Sequence, residues 1–458
     1  MCFVSVPSPF PLLLTPQFRR HSSLPRRATG AVLTALAPDP RGIDALGWAF
    51  VLQHDVVPLI PNGALTPVAC ASPETFDALY DTLVERLGPV AYCQSTEDAI
   101  CAAACRVRGA HHVSLAGTCA PNAESCRNWS GFRAALISLS FLSVLGGVAT
   151  LWPALTLLAL SFWAGTALCA TTGLRAAGAI AEMSHKRRTG TVWKSSRAHR
   201  IDVGALPRIS LLVPLFKEHD IAADLIARLN ALDYPKDRLE VCLILEERDS
   251  QTADVLAWAE LPEWMRIVRV PYGALRTKPR AMNYALDFTN GDIVGIYDAE
   301  DKPAKDQLRK VAAGFARAKP NVACLQGVLD FYNARQNWVT RCFTIDYAMW
   351  FRLILPGLVR LGIVIPLGGT TVFFRRRALE DLGRWDAHNV TEDADLGVRL
   401  ARHGYTAAFV DSVTEEEATS SVPAWVRQRS RWIKGYAVTW AVHMRDPLRL
   451  LGELGAWK

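Results

Sequence analysis

Two kinds of hydrophobic pattern divide this chain. From Ala134 to Leu174 no Asp, Glu, Lys or Arg interrupts an apolar run. As one helix the run would reach about 60 Å, about twice the hydrocarbon thickness of a bilayer. Gly146-Gly147 and Trp152-Pro153 break it near the middle, so it predicts a transmembrane helical hairpin over 133–174, with spans at 133–149 and 154–174. From Pro207 onward, short apolar runs alternate with amphipathic stretches. These predict strands at Ile209–Leu215, Leu239–Leu245, Ile267–Val270, Ile293–Tyr297, Val322–Leu325, Val372–Phe374 and Ala407–Val410. Helices are predicted at Ile221–Leu229, Asp254–Trp258, Pro279–Leu286, Lys305–Ala318, Ala378–Leu382, Ala394–His403 and Ala424–Tyr436. The alternation implies an α/β domain with a mostly parallel sheet and helices on both faces, whose ligands collect beyond the carboxyl ends of the strands. Ahead of the hairpin, residues 41–118 read as a small α/β domain with strands at Leu65–Ala69 and Pro89–Tyr92, a helix over Pro73–Leu87 and another from Thr96 to about Val107. Residues 1–40, rich in Pro, Ser and Arg, read as a disordered tail, and Phe3 to Leu14 makes a poor signal peptide because three prolines interrupt it.

Composition sharpens the membrane reading. Half of the residues are hydrophobic and the net charge is +7. Arg127 and Arg133 precede the hairpin, and Arg175, Lys186, Arg187, Arg188, Lys194, Arg197 and Arg200 follow it in a basic linker over 175–206. Basic flanks on both sides place both ends in the cytoplasm. The expectation is a multi-pass protein of the inner membrane whose catalytic domain faces the cytoplasm. The excess charge suits anionic membrane lipid, and no nucleic-acid partner is expected. Among the eleven cysteines, Cys93, Cys101, Cys105, Cys119 and Cys126 cluster near His111 and His112 in spacings that match no common zinc pattern, so reduced core thiols are expected.

The candidate chemistry lies in the second half. Ile293–Tyr297 is an apolar run closed by Asp298-Ala299-Glu300-Asp301, which puts Asp298 and Glu300 on one side of a strand end, able to share a cation or simply to be wet. Thr391-Glu392-Asp393 opens a helix; its acids suit the helix dipole, and one of them suits a general base. Gln428, Arg431 and Trp432, at i, i+3 and i+4, offer an amide, a guanidinium and an indole on one helix face. Such a face serves phosphate and sugar, or lies on a membrane surface, or both.

Together with Ile209-Ser-Leu-Leu-Val-Pro214-Leu-Phe-Lys-Glu218, Lys278-Pro-Arg-Ala-Met-Asn283, Gly368-Gly369-Thr370 and Gly383-Arg-Trp385-Asp386, these motifs resemble, in order, the family 2 glycosyltransferases of the cellulose synthase and hyaluronan synthase type. The resemblance implies a GT-A type nucleotide-sugar-binding domain over 207–445 and inverting transfer from a UDP-sugar to an acceptor hydroxyl in polysaccharide synthesis. It implies Mg²⁺ or Mn²⁺ on Asp298 and Glu300, and Asp393 as base. Substrate contacts are implied at Pro214, Glu218, Glu246, Glu247, Lys278, Asn283, Gly369, Thr370, Gln428, Arg431 and Trp432. Glu246-Glu247 stands where the family usually has an Asp pair, and Glu300 where Asp is usual. The implied partners are a nucleotide-sugar donor, a carbohydrate or lipid-linked acceptor, and membrane lipid. Residues 41–118 weakly resemble the N-terminal domain of type II secretion ATPases and imply docking of a protein partner. Residues 446–458 are expected to open a C-terminal membrane region that related synthases continue. Two alternatives follow from that end: a non-processive transferase adding one sugar to a lipid or oligosaccharide, and an inactive scaffold.

Overall fold

The computed structural model describes residues 37–61, 65–188, 206–218 and 222–455, and the chain divides into two compact units, one up to Ala110 and one from His111. Nearly all of the expected disordered tail, the linker residues Lys194, Arg197 and Arg200, and positions 456–458 lie outside the described residues.

The first unit runs α1 (Pro40–Leu46), α2 (Trp48–Gln53), β1 (Val56–Pro58), β2 (Thr66–Cys70), α3 (Pro73–Leu87), β3 (Val90–Gln94) and into α4 (Glu97–Ala116). Strand β2 is central, antiparallel to β1 and parallel to β3, with Thr66 opposite Val90 and Cys70 opposite Gln94. Ser72 caps α3 through its hydroxyl, which accepts from the Thr75 amide at 3.1 Å. Gly88 ends that helix at φ 78°, a left-handed conformation that glycine adopts without steric cost. The ten described cysteines are free thiols, and among the described residues no three His, Cys, Asp or Glu side chains form a metal cage.

In the second unit, α5 (Gly131–Leu151) and α6 (Pro153–Arg188) meet at Trp152-Pro153. Both are long and apolar enough to cross a membrane, and their most apolar windows are uncovered. The later half of α6 docks on protein. Buried Glu182 accepts from Arg360 Nε at 2.5 Å, and Lys186 Nζ donates to the Arg352 carbonyl at 3.0 Å. Gly178 and Gly357 bring the backbones of the two segments together, where any side chain on Gly357 would collide with Gly178. That second segment was not foreseen: α11 (Trp338–Met349), a π-helical turn at Trp350–Ile354 and α12 (Leu355–Arg360) form a third stretch long and apolar enough to span a bilayer. Arg341, Asp346 and Arg352 break its charge-free pattern, which hides it in the sequence.

The sheet comprises β4 (Ile209–Leu215), β5 (Leu239–Glu246), β6 (Met265–Val270), β7 (Ile293–Ile296), β8 (Lys302–Pro303), β9 (Val322–Phe331), β10 (Val372–Arg375) and β11 (Thr406–Glu416), in the order β6-β5-β4-β7-β10-β9-β11-β8. The helices α7 (Ala222–Asn230), α8 (Ser250–Ala257), α9 (Lys278–Leu286), α10 (Gln307–Arg317), α13 (Arg376–Asp381), α14 (Glu392–Arg402), α15 (Val422–His443) and α16 (Pro447–Leu454) complete the unit. From β6 to β7 every pairing is parallel, and the near-continuous apolar runs of β4 and β5 are buried on both faces. Beyond β7 the sheet is mixed: β10 runs antiparallel to both neighbours, β11 parallel to β9, and the unforeseen β8 antiparallel to β11. Residue pattern encodes which faces are buried; strand direction follows from connections that the pattern does not show.

Candidate active site

The acidic turn after β7 is built from inside out. Asp301 is buried; its Oδ2 accepts from the Asp298 amide at 2.8 Å and from the Thr370 hydroxyl, so it clamps the turn to the Gly368-Gly369-Thr370 loop. Lys278, the first residue of α9, donates from Nζ to Asp298 Oδ1 and to the Gly369 carbonyl at 3.2 Å. Gly369 passes so close to the next element that a Cβ there would stand 3.0 Å from Asp393 Oδ2. Asp393 lies in the first turn of α14, which presents its acids to the helix N-terminus and Arg399 and Arg402 to its end, and its Oδ1 accepts from the Ala394 amide at 2.8 Å. Asp298, Gly369, Thr370, Lys278 and Asp393, separated by up to 115 positions, thus converge beyond the carboxyl end of β7, an interior strand of the sheet.

Burial and mutual repulsion set the electrostatics. Burial first, and the Asp298 charge second, push the Glu300 and Asp301 carboxyls up. Glu416, at the end of β11, is pushed up by burial and then by Asp301, Asp298 and Glu300. Burial raises Asp393, opposed by the Ala394 amide and the Lys278 ammonium. Glu392 is pushed up to about 8 by burial and by Asp393 beside it, so it holds a proton near neutrality. Burial alone would lower Lys278; the charges of Asp298, Glu392 and Asp393 outweigh it and hold the ammonium above its ordinary range.

Helix α15 closes the other side. Ser421 caps it and Pro423 fits its first turn. Trp432 packs on the cluster of Phe331, Phe343 and Ala418, with its ring 6.4 Å from Phe343. Gln428 Oε1 accepts from Thr419 at 3.5 Å, and Arg431 is exposed. Sequence reasoning missed Arg429, which pairs with Asp346 at 2.6 Å and lies 4.8 Å over Trp432 and 5.1 Å over Phe343; its spacing from Trp425 and Trp432 was the available signal. The helix is stitched to the turn before α14: Asn389 Nδ2 donates to Thr439 at 2.9 Å, and Gly435 lies flat against the Thr391 side chain. Gly435→Ala would drive a methyl into Thr391, so a melting-point loss equivalent to about 1–3 kcal/mol is expected, readable by thermal denaturation, with slower turnover because Thr391 opens α14.

The other expected residues sit elsewhere. Pro214 and Glu218 lie at the end of β4, where Lys217 adopts φ 59° and its amide donates to buried Asp249 at 2.7 Å, while the Glu218 amide donates to Thr252 at 3.0 Å. Both oxygens of Glu246 accept from Arg280 Nη2, at 2.8 and 2.7 Å, and Glu247 Oε2 accepts from the Tyr272 amide at 2.8 Å. Asn283 is 0% exposed; its amide donates to the Ala116 and Trp385 carbonyls at 2.9 and 2.8 Å and accepts from the Trp385 amide at 3.1 Å. Asn283 is therefore an interior brace, away from the acidic turn.

Residues 207–435, half of the chain, match the family described as glycosyltransferase like family 2, and the chain belongs to that family. With the mixed sheet above, this is a GT-A type domain. Among curated proteins, the chain is 31% identical over 252 residues to a beta-monoglucosyldiacylglycerol synthase of Nostoc sp., covering 54% of this chain and 53% of that protein. It is 32% identical over 233 residues to the beta-monoglucosyldiacylglycerol synthase of Synechocystis sp. (50% and 48%). It is 27% identical over 239 residues to the probable glycosyltransferase YdaM of Bacillus subtilis (52% and 57%). The chain thus spans about half the length of the curated relatives it matches. A solved mannosyltransferase of Pyrobaculum calidifontis, in complex with GDP-Man and Mn²⁺, is 22% identical with a TM-score of 0.40, covering 62% of this chain and 83% of that one.

Proposed function

We propose that this chain is a membrane-anchored, inverting transferase that moves a sugar from a nucleotide diphosphate-sugar, of which a UDP-sugar is the first choice, to an acceptor hydroxyl. The observation that carries the reading is the Asp393 carboxylate beside the Gly369 turn, with Lys278 bridging that turn to Asp298. In one displacement the acceptor oxygen bonds to the anomeric carbon, the bond from that carbon to the donor phosphate oxygen breaks, and its electron pair leaves with the nucleoside diphosphate. The acceptor proton passes to Asp393, whose buried environment makes it a stronger base than a free carboxylate. Lys278 binds the diphosphate side and balances charge. Pro214 and Glu218, with Glu247, line the nucleoside side, and Gln428, Arg431 and Trp432 cover the pyrophosphate and acceptor. The transferase domain over 207–445 is assigned to the cytoplasmic side, and residues 41–118 to docking of a protein partner.

Asp298 and Glu300 would hold Mg²⁺ or Mn²⁺. Among the described residues, buried Asp301 Oδ1 and Glu416 Oε1 find no hydrogen-bond donor, and these carboxyls raise one another's proton affinity, so the pocket is under-neutralised and suits a cation. When bound, the cation would neutralise charge on the leaving diphosphate. With two protein carboxylates, the remaining positions around such an ion would fall to substrate phosphates and water. Mn²⁺ at 100 times its dissociation constant is expected to stabilise the protein by about 2.7 kcal/mol. Because these acids have raised folded-state pKa values, they bind protons in competition with the ion, so the thermal shift should be larger at pH 8 than at pH 5.

The acceptor reading favoured by the glucosyldiacylglycerol synthase relatives is a lipid hydroxyl receiving one sugar; the Gln428-x-x-Arg431-Trp432 helix supports polymer synthesis as the second. Membranes supplied with UDP- or GDP-sugars, Mn²⁺ and either diacylglycerol vesicles or oligosaccharides decide the matter. A single sugar on lipid supports the first reading, a ladder of long chains the second. Nucleotide binding without incorporation from any donor would leave a scaffold.

A further inference from the structure

The family-matched span neutralises its own interior only in part: buried Asp395 Oδ2 lies 3.8 Å from Arg399 Nη1, one turn earlier on α14. Arg399 is 0% exposed on α14, and its guanidinium donates to the Arg384 carbonyl at 2.6 Å and to the Leu382 carbonyl. One turn on, Arg402 is buried as well. The carboxylate they share comes from residue 124, in the segment between α4 and α5. Glu124, 3% exposed, lies 3.4 Å from Arg399 Nε, 3.7 Å from Arg402 Nη2 and 3.2 Å from His403 Nε2. The remaining side-chain partners of Arg402 are beyond residue 435. Arg402 donates to Glu453 at 2.6 Å and to His443 Nδ1 at 2.8 Å, and His443 Nε2 reaches Asp395 at 3.0 Å.

Residues 116–126 are held down along their length. Asn283 binds the Ala116 carbonyl, and Gly383, at φ 72°, leaves room for Cys119, whose carbonyl would stand 2.5 Å from a Cβ there. Asp386 accepts from the Ser125 hydroxyl and the Cys126 amide, both at 2.8 Å, and Arg445 donates to the Ser125 carbonyl at 3.0 Å. The Gly383-Arg-Trp385-Asp386 motif, to which the mechanism assigns nothing, is thus the seat of this strap.

We infer that Glu124 is a positioning residue for α14: through Arg399 and Arg402 its carboxylate sets the rotation and depth of the helix that presents Glu392 and Asp393. The inference rests on Asp393 being the base, and its test separates the two ideas. In the full-length protein, Glu124→Gln is expected to speed amide hydrogen exchange across 392–402 about tenfold while 209–215 and 239–246 exchange as before. Turnover should fall about 10- to 100-fold with donor KM nearly unchanged, because Lys278 and Asp298 come from other elements. Glu124→Asp should recover part of both. Asp386→Asn, which loosens the strap without touching Glu124, Arg399 or Arg402, should give a weaker version of the same selective exchange and guards against a Glu124→Gln protein that fails to fold. Unchanged exchange over 392–402 in both variants, or loosening that spreads through 209–215 and 239–246 with KM and turnover failing together, overturns the inference. Exchange reads the coupling of strap and helix without any turnover, so a wild-type protein that transfers no sugar would sink the functional reading and leave the coupling measured.

Discussion

Asp393→Asn is expected to slow sugar transfer about 100- to 10,000-fold with little change in donor affinity. Asn keeps the shape of the side chain and an oxygen for the Ala394 amide, so the first turn of α14 survives. What it loses is the basic carboxylate proposed to take the acceptor proton. Protonation does the same in the wild-type protein. Asp393 has a raised folded-state pKa, so it is ionised only above that value, and turnover should rise with pH through a limb placed above the ordinary carboxylate range. Glu392→Gln should leave that limb in place, because Glu392 already carries its proton there. Equal incorporation by wild-type and Asp393→Asn membranes would end the proposed mechanism.

Lys278→Met is expected to be the most destabilising change in the acidic pocket, about 3 kcal/mol at pH 8. The methionine fills similar space but leaves Asp298, Glu300, Asp301, Glu392, Asp393 and Glu416 facing one another without the ammonium. The sign of its pH dependence follows from the raised pKa values of Glu300, Asp301, Glu392 and Glu416. An acid whose folded-state pKa is raised favours folding most below its unfolded value and loses that advantage as pH rises through the folded one. The deficit of Lys278→Met should therefore shrink toward pH 5, where those carboxyls hold protons, and grow toward pH 8. Denaturation midpoints of both proteins across that range test it; a deficit that grows on acidification contradicts the charge reading.

Much of the catalytic unit is legible because its core strands are short, apolar and buried on both faces. β4 falls on Ile209–Leu215 as its run of Ile, Leu and Val requires, and β5 extends the expected strand by one residue. The convergence of Lys278, Asp298 and Asp393 is legible only through the motif resemblance, since nothing local joins residues so far apart. Three features stayed hidden for identifiable reasons. The stretch Trp338–Arg360 carries charges that pair with Asp330, Glu182 and Arg429 in the fold, so its apolar character is diluted in the sequence. Glu124 sits in a Cys-rich loop whose partners lie 275 and more positions away. Glu416 lies in a Glu415-Glu416-Glu417 run that looks like wet surface, and the pairing of β11 with β8, Glu415 opposite Lys302, brings it to Asp301.

On the proposal that the end of β5 faces the nucleoside of the donor, the pairing of Glu246 with Arg280 bears on how donor choice can drift between relatives. Arg280 is 1% exposed, and removing the carboxylate alone would strand a buried guanidinium, at a cost of about 3–5 kcal/mol. Neither position can change freely while the other stays. Across homologues, residues 246 and 280 should therefore covary as one character, an acid with a guanidinium or two neutral partners of matching bulk. Lineages in which the pair has been exchanged are where a different nucleobase preference should first be sought.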